Sequence, residues 1–244
     1  MHRPASDTIR SQARMAGFLY IVVIVLGAFA EIGVRQGLVV PGDPAATALA
    51  IQRHQGLFRL GFAAEMMTNV IAVPVTLILY RLLVPTGRLL ALTAVALDLT
   101  QNTINAVNAL TQFAPMTLLG GSPDLAAIPQ AELAALARLA LKFHDVGFGI
   151  GLTFFGFALV LEGVLIVRST YFPRWLGALY ALAGVCYLVN SFATFIAPGL
   201  PVFPYILFPC LVGESAVAIW LLIVGVDAAK WRVASRRALE VAEG

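Results

Sequence analysis

The chain has 244 residues, of which 60% are hydrophobic and only 12% charged, and its mean hydropathy is +0.88. Soluble globular proteins carry roughly 25% charged residues, so the composition excludes an ordinary water-soluble domain and predicts an all-α, polytopic membrane protein. The net charge of +3 comes from basic residues spread over separate segments instead of one patch, which argues against a nucleic-acid partner.

Six apolar stretches are long enough for a helix to cross a hydrocarbon core of ~30 Å: residues 15–34, 57–82, 89–113, 143–167, 175–197 and 205–226. A basic leader, 1–14, precedes the first. Two readings compete there, a transmembrane helix or a secretory signal with an Ala28-Phe29-Ala30 cleavage motif; the long apolar run favours the uncleaved helix. The following connection, "QGLVVPGDPAATALAIQRHQ" (36–55), opens with a Pro-Gly-Asp-Pro turn and predicts a short helix from Pro44, because Pro suits a first helical turn.

The loops "VPTGR" (84–88) and "STYFPR" (169–174) are short, so the stretches they join are antiparallel neighbours. The connection at 114–145 breaks at Gly-Gly-Ser-Pro and then becomes a short amphipathic segment from Pro129. That segment either lies at the membrane interface or extends the fourth transmembrane helix outward. Glycines in "GFGIGLTFFG" (147–156) predict close helix packing. Cys186 and Cys210 lack any metal-binding or redox spacing and read as packing residues at different depths. The tail, 228–244, is basic and predicts a short helix on an anionic inner leaflet.

Lys and Arg are retained on the cytoplasmic side of membrane helices. Arg3, Arg10, Arg14, Arg81, Arg88, Arg168, Arg174, Lys230, Arg232, Arg236 and Arg237 fall on one side, against Arg35, Arg53, Arg59, Arg138 and Lys142 on the other. This predicts a single six-helix domain, 15–227, with both termini cytoplasmic. "RMAGFLY" (14–20) and "RWLGALY" (174–180) both spell Arg-x-x-Gly-x-Leu-Tyr where an outward helix begins. Gly61 and Glu65, and Gly213 and Glu214, follow on the next inward helices. A parallel internal repeat and chance similarity in Leu/Gly-rich sequence are both open.

The third stretch, "ALDLTQNTINAVNALTQF" (96–113), departs from the rest. At 3.6 residues per turn, Asp98, Gln101, Asn102, Asn105, Asn108 and Gln112 share one face, within an arc of roughly 120°. An unpaired amide in hydrocarbon costs several kcal/mol, so that face looks inward. Glu65 and Asn69 on the second helix, Asn190 on the fifth and Glu214 on the sixth supply matching polar faces, and His144 with Asp145 begins the fourth. Glu31, near the outer end of the first, has Arg59 as a candidate ion-pair or gating partner. The expectation is a polar chamber in the middle and outer half of the bilayer.

Amides also serve as glue between helices, whereas intramembrane carboxyls such as Glu65, Asp98 and Glu214 mark ion, proton or substrate paths. The candidate ligand- or proton-binding set is therefore Glu65, Asn69, Asp98, Gln101, Asn102, Asn105, Asn108, His144, Asn190 and Glu214. No nucleophile elbow, phosphate loop or nucleotide fingerprint occurs, so no catalytic or metal residue is assigned and no cofactor is named.

The stretches "ARMAGFLYIVVIVLGAFAE" (13–31), "VVPGDPAATALAI" (39–51), "GLFRLGFAAEM" (56–66), "LILYRLLVP" (77–85), "HDVGFGIGLTFFGF" (144–157), "RSTYFPRWLGALYALAGVCYLVNSF" (168–192) and "GESAVAIWLLIVGV" (213–226) resemble an uncharacterised bacterial family of multi-pass membrane proteins, domain of unknown function 4386. The resemblance implies a compact helical domain in the bacterial inner membrane and implies no activity. Three roles stay open: binding or transport of a small molecule or protons, an intramembrane enzyme acting on a lipid or isoprenoid, and an accessory subunit of a membrane complex. The expected partners are the bilayer, a small-molecule or lipid ligand, and a membrane-protein partner or second copy.

Overall fold

The computed structural model describes residues 5–197 and 205–243. Among them the chain is all helix and loop: α1 (Ala5–Ala28), α2 (Pro44–Arg53), α3 (Gln55–Leu83), α4 (Arg88–Leu118), α5 (Gln130–Arg168), α6 (Arg174–Ile196), α7 (Leu207–Ile223) and α8 (Ala228–Glu243). Arg3, assigned to the cytoplasmic side by sequence, lies outside the described residues.

Four helical runs among the described residues are long and apolar enough to cross a membrane: Thr8–Leu38, Gln55–Leu83, Gln130–Arg168 and Arg174–Ile196. A fifth arises if Phe208–Ile223 and Ala228–Glu240, which meet at 103°, are taken together. The structure thus supports four to five spans by length and composition where the sequence predicts six. The difference has two causes. At 31 residues α4 is ample in length, but Asp98 and its amides dilute its apolarity. At 17 residues α7 is shorter than the ~20 a bilayer core asks for.

The α1 helix does not stop at Ala28. It widens into a π-helical stretch, Phe29–Arg35, in which the Gln36 amide donates to the Glu31 carbonyl, and closes with a last turn, Gln36–Leu38. The Ala28-Phe29-Ala30 motif lies within this continuous helix. As expected from Pro44, α2 starts there, with Asp43 as N-cap accepting from the Ala46 amide at 2.8 Å. The segment from Pro129 is not a separate interfacial helix. It joins the fourth predicted span in one 39-residue helix, α5, so the outward extension is the form observed.

The described residues group into two compact units. One comprises Met1–Val22, Ile71–Asn102 and Gly149–Gly244, and the other Val23–Val70 and Thr103–Phe148. In the second unit the connections between spans fold back to build an apolar core. Ala48 and Ile51 of α2 join Val34, Leu38, Phe58, Met116, Leu119, Leu133, Ala137 and Leu141.

In the first unit, α5 and α6 touch backbone to backbone. A Cβ placed on Gly163 would meet the Gly177 carbonyl at 2.6 Å, and one on Gly156 would meet the Gly184 carbonyl at 2.9 Å. Glycine at these crossings lets the helices approach where any side chain would hold them apart. Cys186 on α6 and Cys210 on α7 are buried and free. Their thiols are neighbours and not at separate depths, since Cys210 donates to the Ala183 carbonyl, three residues from Cys186, at 3.4 Å.

The turn into α8 uses Gly225 at φ +75°, a left-handed conformation that costs glycine least. Asp227 then caps the helix, accepting from the Lys230 amide at 3.1 Å and the Ala229 amide at 3.2 Å. The Lys230 amide, with help from its ammonium group, holds the Asp227 carboxyl below the usual aspartate range. A depressed folded value means the stabilisation is present above the unfolded value and is lost as pH falls through the folded one. Asp227→Ala is therefore expected to loosen α8 at neutral pH by about 1 kcal/mol, with little further loss on acidification. Amide exchange at Ala229, Lys230 and Trp231, followed with pH in both proteins, checks this.

Candidate functional site

Two buried polar clusters stand out, one in each unit. In the second unit the π-helical stretch sets Glu31 and Arg35 one turn apart, and they form an ion pair. Gln36 also donates to Glu31, at 3.0 Å. The widened turn aims Arg35 inward: it is only 7% exposed, its Nε lies 3.9 Å from Asp145, and its guanidinium sits 5.8 Å from the centre of the Phe148 ring. The partner of Glu31 is accordingly Arg35 in place of the expected Arg59. Arg35 approaches along Glu31's own helix, at no cost in chain ordering, while Arg59 is exposed.

Beside this lies His144 of α5, fully buried. Gly147, one turn on, leaves the room that the Asn108 side chain fills, since a Cβ there would collide with it. Asn108 on α4 donates from Nδ2 to the His144 carbonyl at 2.8 Å. The His144 Nδ1 lies 3.3 Å from both the Asn108 carbonyl and the Asn108 Nδ2. The His144 Nε2 faces Glu65, whose Oε1 is 3.6 Å away. Gln112 reaches the Glu65 carboxyl from α4.

Six buried side-chain atoms of this unit have no hydrogen-bond partner among the described residues: Glu65 Oε1, Asn69 Nδ2, Asn105 Oδ1, Gln112 Oε1, Arg138 Nη1 and His144 Nε2. Buried polar atoms are ordinarily paired. Glu65 Oε1, Asn105 Oδ1 and Gln112 Oε1 are acceptors, Asn69 Nδ2 and Arg138 Nη1 are donors, and His144 Nε2 is one or the other according to its tautomer.

In the first unit, α4 contributes Asp98 and Asn102, both buried. Thr76 on α3 donates to Asp98 Oδ2 at 3.4 Å. Glu214 on α7 accepts from Tyr20 on α1 at 3.0 Å and from Tyr187 on α6. The hydroxyls of Tyr20 and Tyr180 are 2.9 Å apart. These two tyrosines close the two copies of the Arg-x-x-Gly-x-Leu-Tyr motif, so the motif pair meets in space.

The predicted set thus divides. Asp98, Gln101, Asn102, Asn190 and Glu214 fall in the first unit, with Gln101 and Asn190 half-buried, and Glu65, Asn69, Asn105, Asn108 and His144 fall in the second. Asn102, Asn105 and Gln112 are buried while Leu110, on the opposite side of α4, is 72% exposed; the amide face looks inward as expected.

Sequence reasoning missed two charges. Arg35 counted only toward topology, and its role depends on a π-helical turn that no residue pattern announces. Glu162 on α5 is 2% exposed and falls in the first unit. A glutamate inside "LVLEGVLIV" (159–167) was signal enough, by the same argument that selects Glu65. Among the described residues, no group of three or more His, Cys, Asp or Glu is placed to hold a metal ion.

Comparison with known proteins places the molecule without assigning it a reaction. An uncharacterised protein of Archaeoglobus fulgidus is 36% identical over 98 residues, covering 38% of this chain and 58% of that protein. The chain therefore spans somewhat over half the length of that relative. No solved structure matches. The profile described as a domain of unknown function (DUF4386) matches residues 15–225, the stretch that carries both polar clusters, and the chain belongs to that family.

Proposed function

We propose that the protein is a six-span membrane protein of the bacterial inner membrane, with both termini cytoplasmic, that binds or transports a small amine-bearing molecule. The domain is residues 15–227, with α4 and α7 crossing the bilayer beside the four more apolar helices. The amide face of α4 supports this for that helix, since a buried polar stripe opposite exposed Leu92, Val107 and Leu110 is the pattern of a helix with lipid on one side and protein on the other.

The observation that supports the ligand class is the set of unpaired buried acceptors in this unit, Glu65 Oε1, Asn105 Oδ1 and Gln112 Oε1. An ammonium group offers several N–H donors and a positive charge, and Glu65 answers both. A panel of primary amines, amino acids and matched neutral alcohols tested for thermal stabilisation of the purified protein decides it. At least one amine is expected to raise Tm in the wild type and to lose that effect in Glu65→Gln. Stabilisation by alcohols alone, or an amine effect that survives Glu65→Gln, overturns the reading.

A second reading rests on the 3.6 Å approach of His144 to Glu65, which in an enzyme acting on a lipid or isoprenoid would serve as an acid–base pair. Turnover of a lipid extract by the wild type, lost in His144→Gln without loss of folding, would favour it.

A further inference from the structure

We propose that the bend between α7 and α8 binds the headgroup of an anionic phospholipid, with α8 lying flat on the same leaflet. On the reading that α7 crosses the bilayer, on which this site rests, α8 turns from it by 103° and so runs close to the membrane plane. Hydrogen bonds fix that turn. The Trp231 indole N–H donates to the Leu82 carbonyl at 3.0 Å, which also accepts from the Tyr171 hydroxyl at 2.9 Å, and the Asp227 amide donates to the Tyr171 carbonyl at 3.4 Å. Leu82 lies in the last turn of α3, where helix carbonyls lack partners of their own, so α8 is docked on the end of that helix.

At 3.6 residues per turn, Trp231, Ala234 and Ala238 share one side of α8, with Lys230 and Arg237 flanking it on one edge and Arg232 and Arg236 on the other. All four bases are exposed, while Trp231 and Ala234 are half-buried. Glu240 and Glu243 are the acids of α8, which leaves the helix net basic. An apolar face edged by bases suits the interface of an anionic leaflet.

A leaflet-bound tail is what the sequence expects; the structure adds a cavity at its root. The cavity has a volume of about 250 Å³ and is lined by Arg10 of α1, Tyr171, Trp220, Gly225 and Asp227 among others. That is several times the ~30 Å³ share of one water. A Cβ on Gly225 would lie 3.4 Å from the Arg10 Cγ, so the stem of Arg10 passes over the bend where there is no side chain. Arg10 is exposed, and among the described residues its guanidinium has no hydrogen bond or ion pair. The acid of the cavity, Asp227, is committed: it accepts from the Ala229 and Lys230 amides and pairs with the Lys230 ammonium at 3.4 Å. The charge left free is positive and suits a phosphodiester. Trp220 meets Trp175 edge-on, with ring centres 5.7 Å apart. Together with Trp231 these are all three tryptophans of the chain, and tryptophan collects at headgroup level. A lipid uses both features, its phosphate at Arg10 and its chains beside the indoles, whereas a soluble anion uses only the first.

Because the tryptophans gather here, the tryptophan fluorescence of the full chain reads this site. The protein is reconstituted in phosphatidylcholine vesicles containing rising fractions of phosphatidylglycerol or phosphatidylcholine brominated near the headgroup end of the acyl chains. Phosphatidylglycerol is expected to quench at a clearly lower mole fraction. One base at a charged surface is worth roughly fivefold in binding; Arg10→Gln is expected to narrow the preference by at least that much, and Arg237→Gln, which removes an equal charge outside the cavity, by less. Equal quenching by the two lipids, equal losses in the two variants, or relief of quenching by inorganic phosphate beyond that by chloride at equal ionic strength overturns the proposal. The two-lipid comparison stands on the wild type alone. Stronger quenching by lipids brominated deep in the chains than by shallow ones would sink the spanning reading of α7 as well, and the amine reading is decided separately at Glu65.

Discussion

Gly177→Leu is expected to abolish folding. A Cβ at Gly177 would lie 2.5 Å from the Gly163 carbonyl oxygen, 2.7 Å from the Val167 amide nitrogen and 2.9 Å from the Ile166 Cβ. Two of those atoms are backbone of a long, regular helix and cannot swing aside as a flexible side chain would. The only relief is to move α6 away from α5, which opens the neighbouring contact of Gly156 with Gly184 as well. Overpacking a tight core costs about 1–3 kcal/mol when side chains can adjust, and here they cannot, so the loss is expected at or above the top of that range. Against a total stability of roughly 5–15 kcal/mol, the folded protein would be largely lost. Even Gly177→Ala is expected to lower Tm. Gly27 and Gly37 meet nothing within 4 Å of an added Cβ, and their Ala variants are expected to stay within about 1 kcal/mol of the wild type, on the stable side, because Ala is the better helix former. Size-exclusion profiles and melting curves of the variants in detergent check the contrast, and equal behaviour of Gly177→Ala and Gly27→Ala would refute it.

This crossing was partly legible in the sequence. The run "GFGIGLTFFG" (147–156) marks α5 as a close-packing helix, and Gly156 does meet Gly184. Gly147 does different work, making room for the Asn108 side chain, and no local pattern distinguishes the two uses. Helix positions followed directly from apolar length: the second stretch, read as 57–82, is α3 at Gln55–Leu83. The inward face of α4 followed from periodicity and the cost of burying unpaired amides in lipid. What could not be read were partners. Arg35 and Arg59 are both candidates for Glu31 by sequence distance, and only the π-helical turn decides between them. The Arg-x-x-Gly-x-Leu-Tyr pair was visible as a repeat, but repetition fixes similar surroundings and says nothing of whether the two copies touch. Glu162 was legible by the same rule as Glu65, as a lone glutamate inside an apolar span.

Arg35→Leu is expected to be the most damaging single change in the second unit after its apolar core. Arg35 is the buried cation of that cluster, paired with Glu31, 3.9 Å from Asp145 and in the field of Glu65. Removing one partner of a buried ion pair costs about 3–5 kcal/mol, chiefly because the other is left unpaired. The side chains of Glu31 and Asp145 are 36% and 57% exposed, so water screens part of their repulsion and the lower end, about 3 kcal/mol, applies. Arg35→Lys keeps the charge but loses the planar contact with Phe148 and the forked donors, and about 1 kcal/mol is expected there. The cause is separable from lost packing. If uncompensated carboxylates are responsible, adding Glu31→Gln to Arg35→Leu restores part of the stability, although Glu31→Gln alone lowers it. A double-mutant cycle on Tm reads this directly, and an additive result would show that Arg35 acts by filling space over Phe148 and not by its charge. On the reading that Glu65 holds an amine, Glu31→Gln frees the Arg35 guanidinium, already in the field of Glu65, to compete for that carboxylate, and is expected to weaken amine stabilisation even though residue 31 need not touch the ligand.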